Sequence, residues 1–98
     1  MAIAKPIEFM GITTDVVVFS IEEAELKVLL INRANKPFKG RWALPGSFLV
    51  NNEGSQEAAL RTLKEKSGVT NVYLEQLYTF DSSGRDPRGK ICTIAYFA

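Results

Sequence analysis

Between Glu53 and Val69 the chain sets charged side chains at helical spacing. Glu57, Arg61 and Glu65 fall on one stripe, four residues apart, with Thr62, Lys64 and Lys66 beside it. Carboxylates and a guanidinium on one stripe are groups that a catalytic helix can carry. The plain alternative is a solvated i, i+4 pair between Arg61 and Glu65, worth about 0.3–0.5 kcal/mol, and spacing alone favours it. Other chemistry-bearing residues are sparse. The chain has no histidine, so the commonest general base and zinc ligand is missing. The lone Cys92 cannot form an internal disulfide. It lies in the apolar run ICTIAYFA and reads as a buried structural thiol rather than a nucleophile.

The elements that must position these residues can be read from the pattern. TTDVVVFSI (13–21) is β-branched and aromatic and predicts a strand buried on both faces. EEAE (22–25) is a polar turn, and LKVLLINR (26–33) predicts a second strand paired with the first as a hairpin. A loop with Pro37 and Gly40 follows, then a short strand RWAL that Pro45-Gly46 ends. Ser55 is the expected N-cap of a helix reaching about Ser67. In it Ala59 and Leu63 form an i, i+4 apolar pair, Ala58 and Leu60 flank that pair, and Gly68 is the stop. Strands are expected over 71–80 and 89–98, joined by the turn DSSGRDPR. The order is strand, strand, short strand, helix, strand, strand: an α/β arrangement on a mixed sheet. One helix covers one face of such a sheet. The expectation is therefore a fragment, with a covering element after Ala98.

Composition narrows the function classes. Ninety-eight residues allow one small domain. A net charge of +1 gives no reason to expect nucleic-acid binding by this segment itself. Lys5, Pro6 and Glu8 interrupt the N-terminal apolar run, so it does not read as a signal peptide. No stretch approaches the roughly 20 apolar residues of a membrane span. A cytoplasmic protein is the default.

The segment 47–69 resembles the Nudix box, G-x5-E-x7-R-E-U-x-E-E-x-G-U with U aliphatic. Glu53, Arg61, Leu63, Glu65, Gly68 and Val69 match in register. Ser47, Thr62 and Lys66 depart from it. The resemblance covers roughly 14–98 and implies a Nudix α/β/α sandwich with mixed sheet, lacking its last strands and second helix. An N-terminal extension would occupy 1–12 and the Nudix domain 13–98. Nudix hydrolases cleave nucleoside diphosphates linked to a further group, using magnesium or manganese to neutralise the diphosphate and position water. Three helix carboxylates at i, i+3, i+4 supply that site; here those positions are Thr62, Glu65 and Lys66. Their formal charge falls from −3 to 0, so only Glu65 is left as a weak ligand for Mg or Mn. The resemblance assigns Glu53, Arg61 and Glu65 to the catalytic set, with Arg61 as an orienting salt bridge to Glu53. Lys66 has two readings: an ammonium touching phosphate in place of the metal, or a solvated lysine near a helix C-terminus.

INRANKPFKGRWALPG and YTFDSSGRDPRGK are similar to the ADP-ribose branch of the family, above all to the sensor domains of Nudix-related transcriptional regulators of NAD metabolism. That implies Arg33, Arg41, Arg85 and Arg88 as phosphate or ribose contacts, since arginine donates paired hydrogen bonds to a diphosphate. A solvated turn with an Asp86–Arg88 contact also accounts for Arg85 and Arg88. Phe38, Trp42, Phe48 and Phe80 are candidates for adenine stacking, though core packing is the commoner use of Trp42, Phe48 and Phe80. The function expected is binding of ADP-ribose or a related nucleoside diphosphate ligand, with hydrolysis weak or absent. Such a module would be the sensor of a regulator that reaches DNA only through another segment, would not engage membranes, and would assemble as a homo-oligomer. Two other readings stand beside it. One is an active metal-dependent Nudix hydrolase of the ADP-ribose pyrophosphatase type; the other is a purely structural or dimerising domain.

Overall fold

The computed structural model describes residues 10–36, 38–82 and 84–98. Most of the expected N-terminal extension, 1–12, lies outside the described residues. Strand β1, Gly11–Val17, takes in its last two positions. β1 lies parallel to β8, Ile91–Phe97, in register from Gly11 opposite Ile91 to Val17 opposite Phe97. β6, Gly46–Phe48, flanks β1 and β7, Glu75–Phe80, flanks β8, both antiparallel. The resulting four-stranded sheet, β6-β1-β8-β7, is mixed as expected. Two small antiparallel pairs accompany it: β2, Phe19–Glu22, with β3, Glu25–Val28; and β4, Ile31–Asn32, with β5, Trp42–Ala43.

Helix α1, Ser55–Ser67, covers one face of the sheet. Because side chains alternate along a strand, Val16 and Tyr96 share the face that meets Ala59 and Leu63, with Leu74 completing the buried cluster. Leu63 is fully buried, which contributes about 1.5–3 kcal/mol. The opposite parity of β1 carries Thr13, Asp15 and Val17. There the Thr13 and Thr93 hydroxyls are 2.7 Å apart across the parallel pair. Gly68 ends α1 in the left-handed conformation (φ 76°), its N–H bonding the Lys64 carbonyl at 2.9 Å. No helix among the described residues is long and apolar enough to cross a membrane.

Several boundaries differ from the sequence reading. The run 13–21 is not one strand buried on both faces. It breaks at Val18, and β2 and β3 are exposed throughout. Their hairpin turns at Glu23 and Ala24, both at positive φ (51° and 64°), the geometry that matches strand twist in a two-residue loop. The second strand likewise breaks between β3 and β4. Pro45-Gly46 does not end strand structure, because β6 begins at Gly46. The N-cap is Gly54, not Ser55: the Gly54 carbonyl already accepts from the Ala58 N–H at 3.0 Å, while the Ser55 hydroxyl bonds to the Tyr96 hydroxyl. β7 starts at Glu75 rather than Asn71, which lies at positive φ (57°). Leu60 faces outward and Cys92 is half-buried.

Candidate functional site

Arg61 joins the first turns of α1 to the loop that precedes it. Its Nε donates to Glu53 Oε2 at 2.8 Å and its Nη2 to Glu53 Oε1 at 3.1 Å. Nη2 also reaches Ser47 Oγ at 3.2 Å and the Phe48 carbonyl at 3.1 Å. Ser47, a departure from the box glycine, thus serves as an acceptor. Nη1 meets Glu65 Oε2 at 3.3 Å. Glu53 accepts a further bond from the Val50 N–H at 3.2 Å. The Arg61 hydrogen bond holds the Glu53 carboxyl below its usual range. The Arg61–Glu53 salt bridge that the resemblance implies is thus formed.

The three positions that would carry helix carboxylates diverge. Thr62 is fully buried, and its hydroxyl has no hydrogen-bond partner. Glu65 points to solvent with its side chain 59% exposed and pairs with Arg61. Lys66 reaches the other way and donates to the Gly46 carbonyl. A divalent cation takes several oxygen ligands at once. Glu65, flanked by two cationic side chains, does not fit that requirement, and no group of three metal-ligating side chains occurs among the described residues.

Lys66 instead stands on the wall between two clefts. One, about 250 Å³, is lined by Thr13, Asp15, Arg33, Phe38, Lys66 and Arg88 among others. Its neighbour, about 210 Å³, runs along 31–35 and shares Ile31, Arg33 and Lys66. Burial and the nearby Arg33 lower the Lys66 ammonium from its ordinary value. Three of the five expected ligand-binding residues, Arg33, Lys66 and Arg88, therefore meet at one cleft. Arg88 is held there by a fork onto Asp86, at 3.0 and 2.8 Å, and lies over the Phe48 ring, 4.9 Å from its centroid. That fork holds Asp86 down at about 2.

The other two residues are placed differently. Arg85 is bonded into the sheet, its Nη2 donating to the Ile91 carbonyl at 3.0 Å and Thr93 Oγ1 at 2.9 Å. It is not a merely solvated turn residue. Arg41 is exposed and lies outside the lining of both clefts. Of the aromatic candidates, Phe38 and Phe48 are at or beside the cleft. Trp42 is 69% exposed on β5, and Phe80 packs edge-on against Tyr78, their centroids 5.0 Å apart. None of Trp42, Phe48 and Phe80 is a core residue, contrary to expectation: Phe48 and Phe80 pair with Thr13 and Thr93 on the sheet face away from α1, and Trp42 lies in the separate β4–β5 pair.

The site residue that sequence reasoning passed over is Asp15. It stands in the middle of an apolar β-branched strand, and that misplaced charge is the signal available to find it. Its carboxylate lies so close to β6 that a Cβ on residue 46 would fall 2.0 Å from Asp15 Oδ1 and 2.6 Å from the Thr14 carbonyl. Glycine at 46 is what admits it. Burial raises the Asp15 carboxyl above its ordinary value, while Arg85, Arg88, Lys66 and Arg33 pull it back down.

The chain combines a mixed sheet under one helix, an Arg61–Glu53 bridge from that helix to the loop before it, and a left-handed glycine at the helix end. A NUDIX domain is matched over residues 11–98, and the chain belongs to that family. It is 43% identical over 88 residues to the ADPR responsive transcriptional repressor NtrR of Acinetobacter baylyi, covering 88% of this chain and 35% of that protein. It is 42% identical over 81 residues to the ADP-ribose pyrophosphatase of Methanocaldococcus jannaschii, covering 83% and 48% respectively. The NUDIX domain of Shewanella oneidensis NrtR complexed with ADP ribose superposes with a TM-score of 0.88 at 40% identity, covering 94% of this chain and 61% of that one. The chain thus spans about a third to a half of the length of the curated relatives it matches.

Proposed function

We propose that this domain binds ADP-ribose or a related nucleoside diphosphate ligand and hydrolyses it slowly or not at all. One observation carries the reading. Lys66 takes the place of a helix carboxylate and presents its ammonium, with Arg33, on the wall shared by two clefts. A diphosphate joined to a group at each end suits that layout: its charge meets the cations at the wall, and one end group enters each cleft. Arg88 over Phe48 closes one side. A lysine neutralises phosphate charge but does not lower the pKa of a bound water as a divalent ion does. The similarity to NtrR and to the ADP-ribose complex supports assigning the ligand to this chain and a sensor role within a regulator whose DNA contacts come from another segment; a cytoplasmic location and homo-oligomeric assembly are part of the same proposal.

A second reading, a metal-dependent ADP-ribose pyrophosphatase, is supported by the similarity to the Methanocaldococcus jannaschii enzyme. It would require Mg or Mn ligands besides Glu65. Calorimetric titration with ADP-ribose, with and without magnesium, followed by an assay for released AMP, separates the two. Binding independent of magnesium, with negligible AMP, is the expected result. Turnover near 1 s⁻¹, an ordinary enzymatic rate, establishes the second reading.

A further inference from the structure

Asp15 is a paradox in a site read as anion-binding. A carboxylate at the floor of a phosphate cleft repels the ligand, yet it is built in: the adjacent strand gives up every side-chain atom at Gly46 to make room for it. Charged groups face it from each element around it. Lys66 comes from α1, Arg33 from the segment after β4, and Arg85 and Arg88 from the turn before β8. Two of these cations are fixed by other partners, Arg88 by Asp86 and Arg85 by β8. Those bonds hold both guanidinium groups near Asp15. Thr13 on the same strand parity lines the same cleft, and Phe38 borders it.

We propose that Asp15 is the resident counter-anion of this cleft: it balances the gathered cations when the cleft is empty and competes with the incoming diphosphate, so that it sets how tightly the ligand is held. This inference rests on the diphosphate reading of the same site. Its consequence is a proton linkage. A bound diphosphate adds negative charge beside Asp15 and raises the carboxyl further above the value that burial already gives it. The protein then takes up a proton from solvent onto the Asp15 carboxylate as the ligand binds. The sign follows directly. Above the bound-state pKa the carboxylate is charged in both states and the full repulsion remains. As pH falls from there toward the free-state pKa, affinity rises. Below both values it levels off.

The test uses ADP-ribose as probe, titrated calorimetrically at about pH 8 and about pH 5 in buffers of different ionisation enthalpy, on the wild type and on Asp15→Asn. A bound-state displacement of one pKa unit corresponds to about a tenfold change in affinity. The expected results are tighter wild-type binding at the lower pH, by about that factor, with net proton uptake. The D15N variant should bind more tightly than wild type at pH 8, with affinity flat across the range. Proton uptake by the wild type is read without any variant, so the inference stays testable if D15N folds poorly. Weaker ADP-ribose binding by a folded D15N protein would make Asp15 a direct acceptor for a ligand hydroxyl and overturn the counter-anion role. Binding with no proton uptake and no pH slope also overturns it, leaving the diphosphate reading intact. No binding of ADP-ribose by either protein at either pH overturns both.

Discussion

Arg61 and Lys66 are five residues apart on one helix, and their surroundings have opposite logic. Around Arg61 one guanidinium meets two carboxylates, by a fork onto Glu53 and a bond to Glu65, and two further acceptors from the loop. Around Lys66 cations gather on a cleft, with Asp15 as the carboxylate among them. The first neighbourhood is closed and needs no visitor. The second has room and positive charge for one. The Nudix pattern is retained at Glu53, Arg61, Leu63, Glu65, Gly68 and Val69 and changed at Ser47, Thr62 and Lys66. The salt bridge that ties the helix to its loop is kept, while two of the three positions at which the family resemblance implies helix carboxylates are not. The two neighbourhoods are thus separable.

Mutation at each neighbourhood can break that separation. The largest effect on folding is expected from Arg61→Ala. It strands Glu53, whose side chain is only 11% exposed, and unties the 47–53 loop. A fall in Tm of about 5 °C or more should follow, seen by thermal circular dichroism. An unchanged Tm would mean the clamp is ornamental. Lys66→Ala should do the reverse, with little change in Tm and ADP-ribose binding weaker by about 1.5–3 kcal/mol, roughly ten- to a hundredfold in Kd. Calorimetry checks it, and equal affinity would return Lys66 to the solvated-lysine reading. Arg85→Ala blurs the division, since this arginine serves the sheet. It should cost about 1–2 kcal/mol of stability through its bonds to Ile91 and Thr93, measured by urea unfolding.

Smaller effects refine the picture. Asp86 is held at about 2 by Arg88, so its contribution to stability is present above its ordinary value of 3.8 and is lost as pH falls from there to about 2. In Arg88→Ala the carboxyl titrates normally. The Tm gap between the two proteins should therefore close over that acid range. Thr62→Val is the subtlest change. It removes a buried hydroxyl that lacks a partner while keeping the shape, and should raise stability by up to about 1 kcal/mol. A loss instead would show that the hydroxyl is satisfied in solution.

What was legible in the sequence followed periodicity and punctuation. Helix α1 and its glycine stop were readable because Ala59, Leu63 and Gly68 give local signals. The mixed order of elements followed from the run of strands around one helix. The boundaries near Val18, Leu30 and Pro45 were not readable. At Val18 and Leu30 apolar residues continue through the bend without a change of composition, and at Pro45 the breaker pair Pro45-Gly46 marks a stop although Gly46 itself pairs with β1. Exposure of the β2–β3 hairpin was missed for the same reason: Ile21 and Leu26 look like core residues and are 78% and 69% exposed. In the site, the box register located Glu53, Arg61 and Lys66. It did not reveal that Thr62 turns into the sheet, because helical spacing places residues on a face without saying what lies against it. Asp15 belongs to no motif, and only the parallel partnership with β8 brings the turn arginines over it.

That partnership also has a kinetic side. Thr13 and Thr93 bond across a separation of 80 positions, and every pairing of β1 with β8 spans a similar stretch. Contacts of such high order form slowly, because the loop between them must close before any bond compensates for it. Helix α1 and the β2–β3 hairpin are local and can form early. The cleft floor at Thr13 and Asp15, with Arg88 from the turn before β8 on its wall, is complete only when the two central strands meet. A ligand seated on that floor would therefore engage the protein after its late step of folding and brake the first step of unfolding. Its presence should show as a slower unfolding limb in a chevron plot, with the refolding limb unmoved.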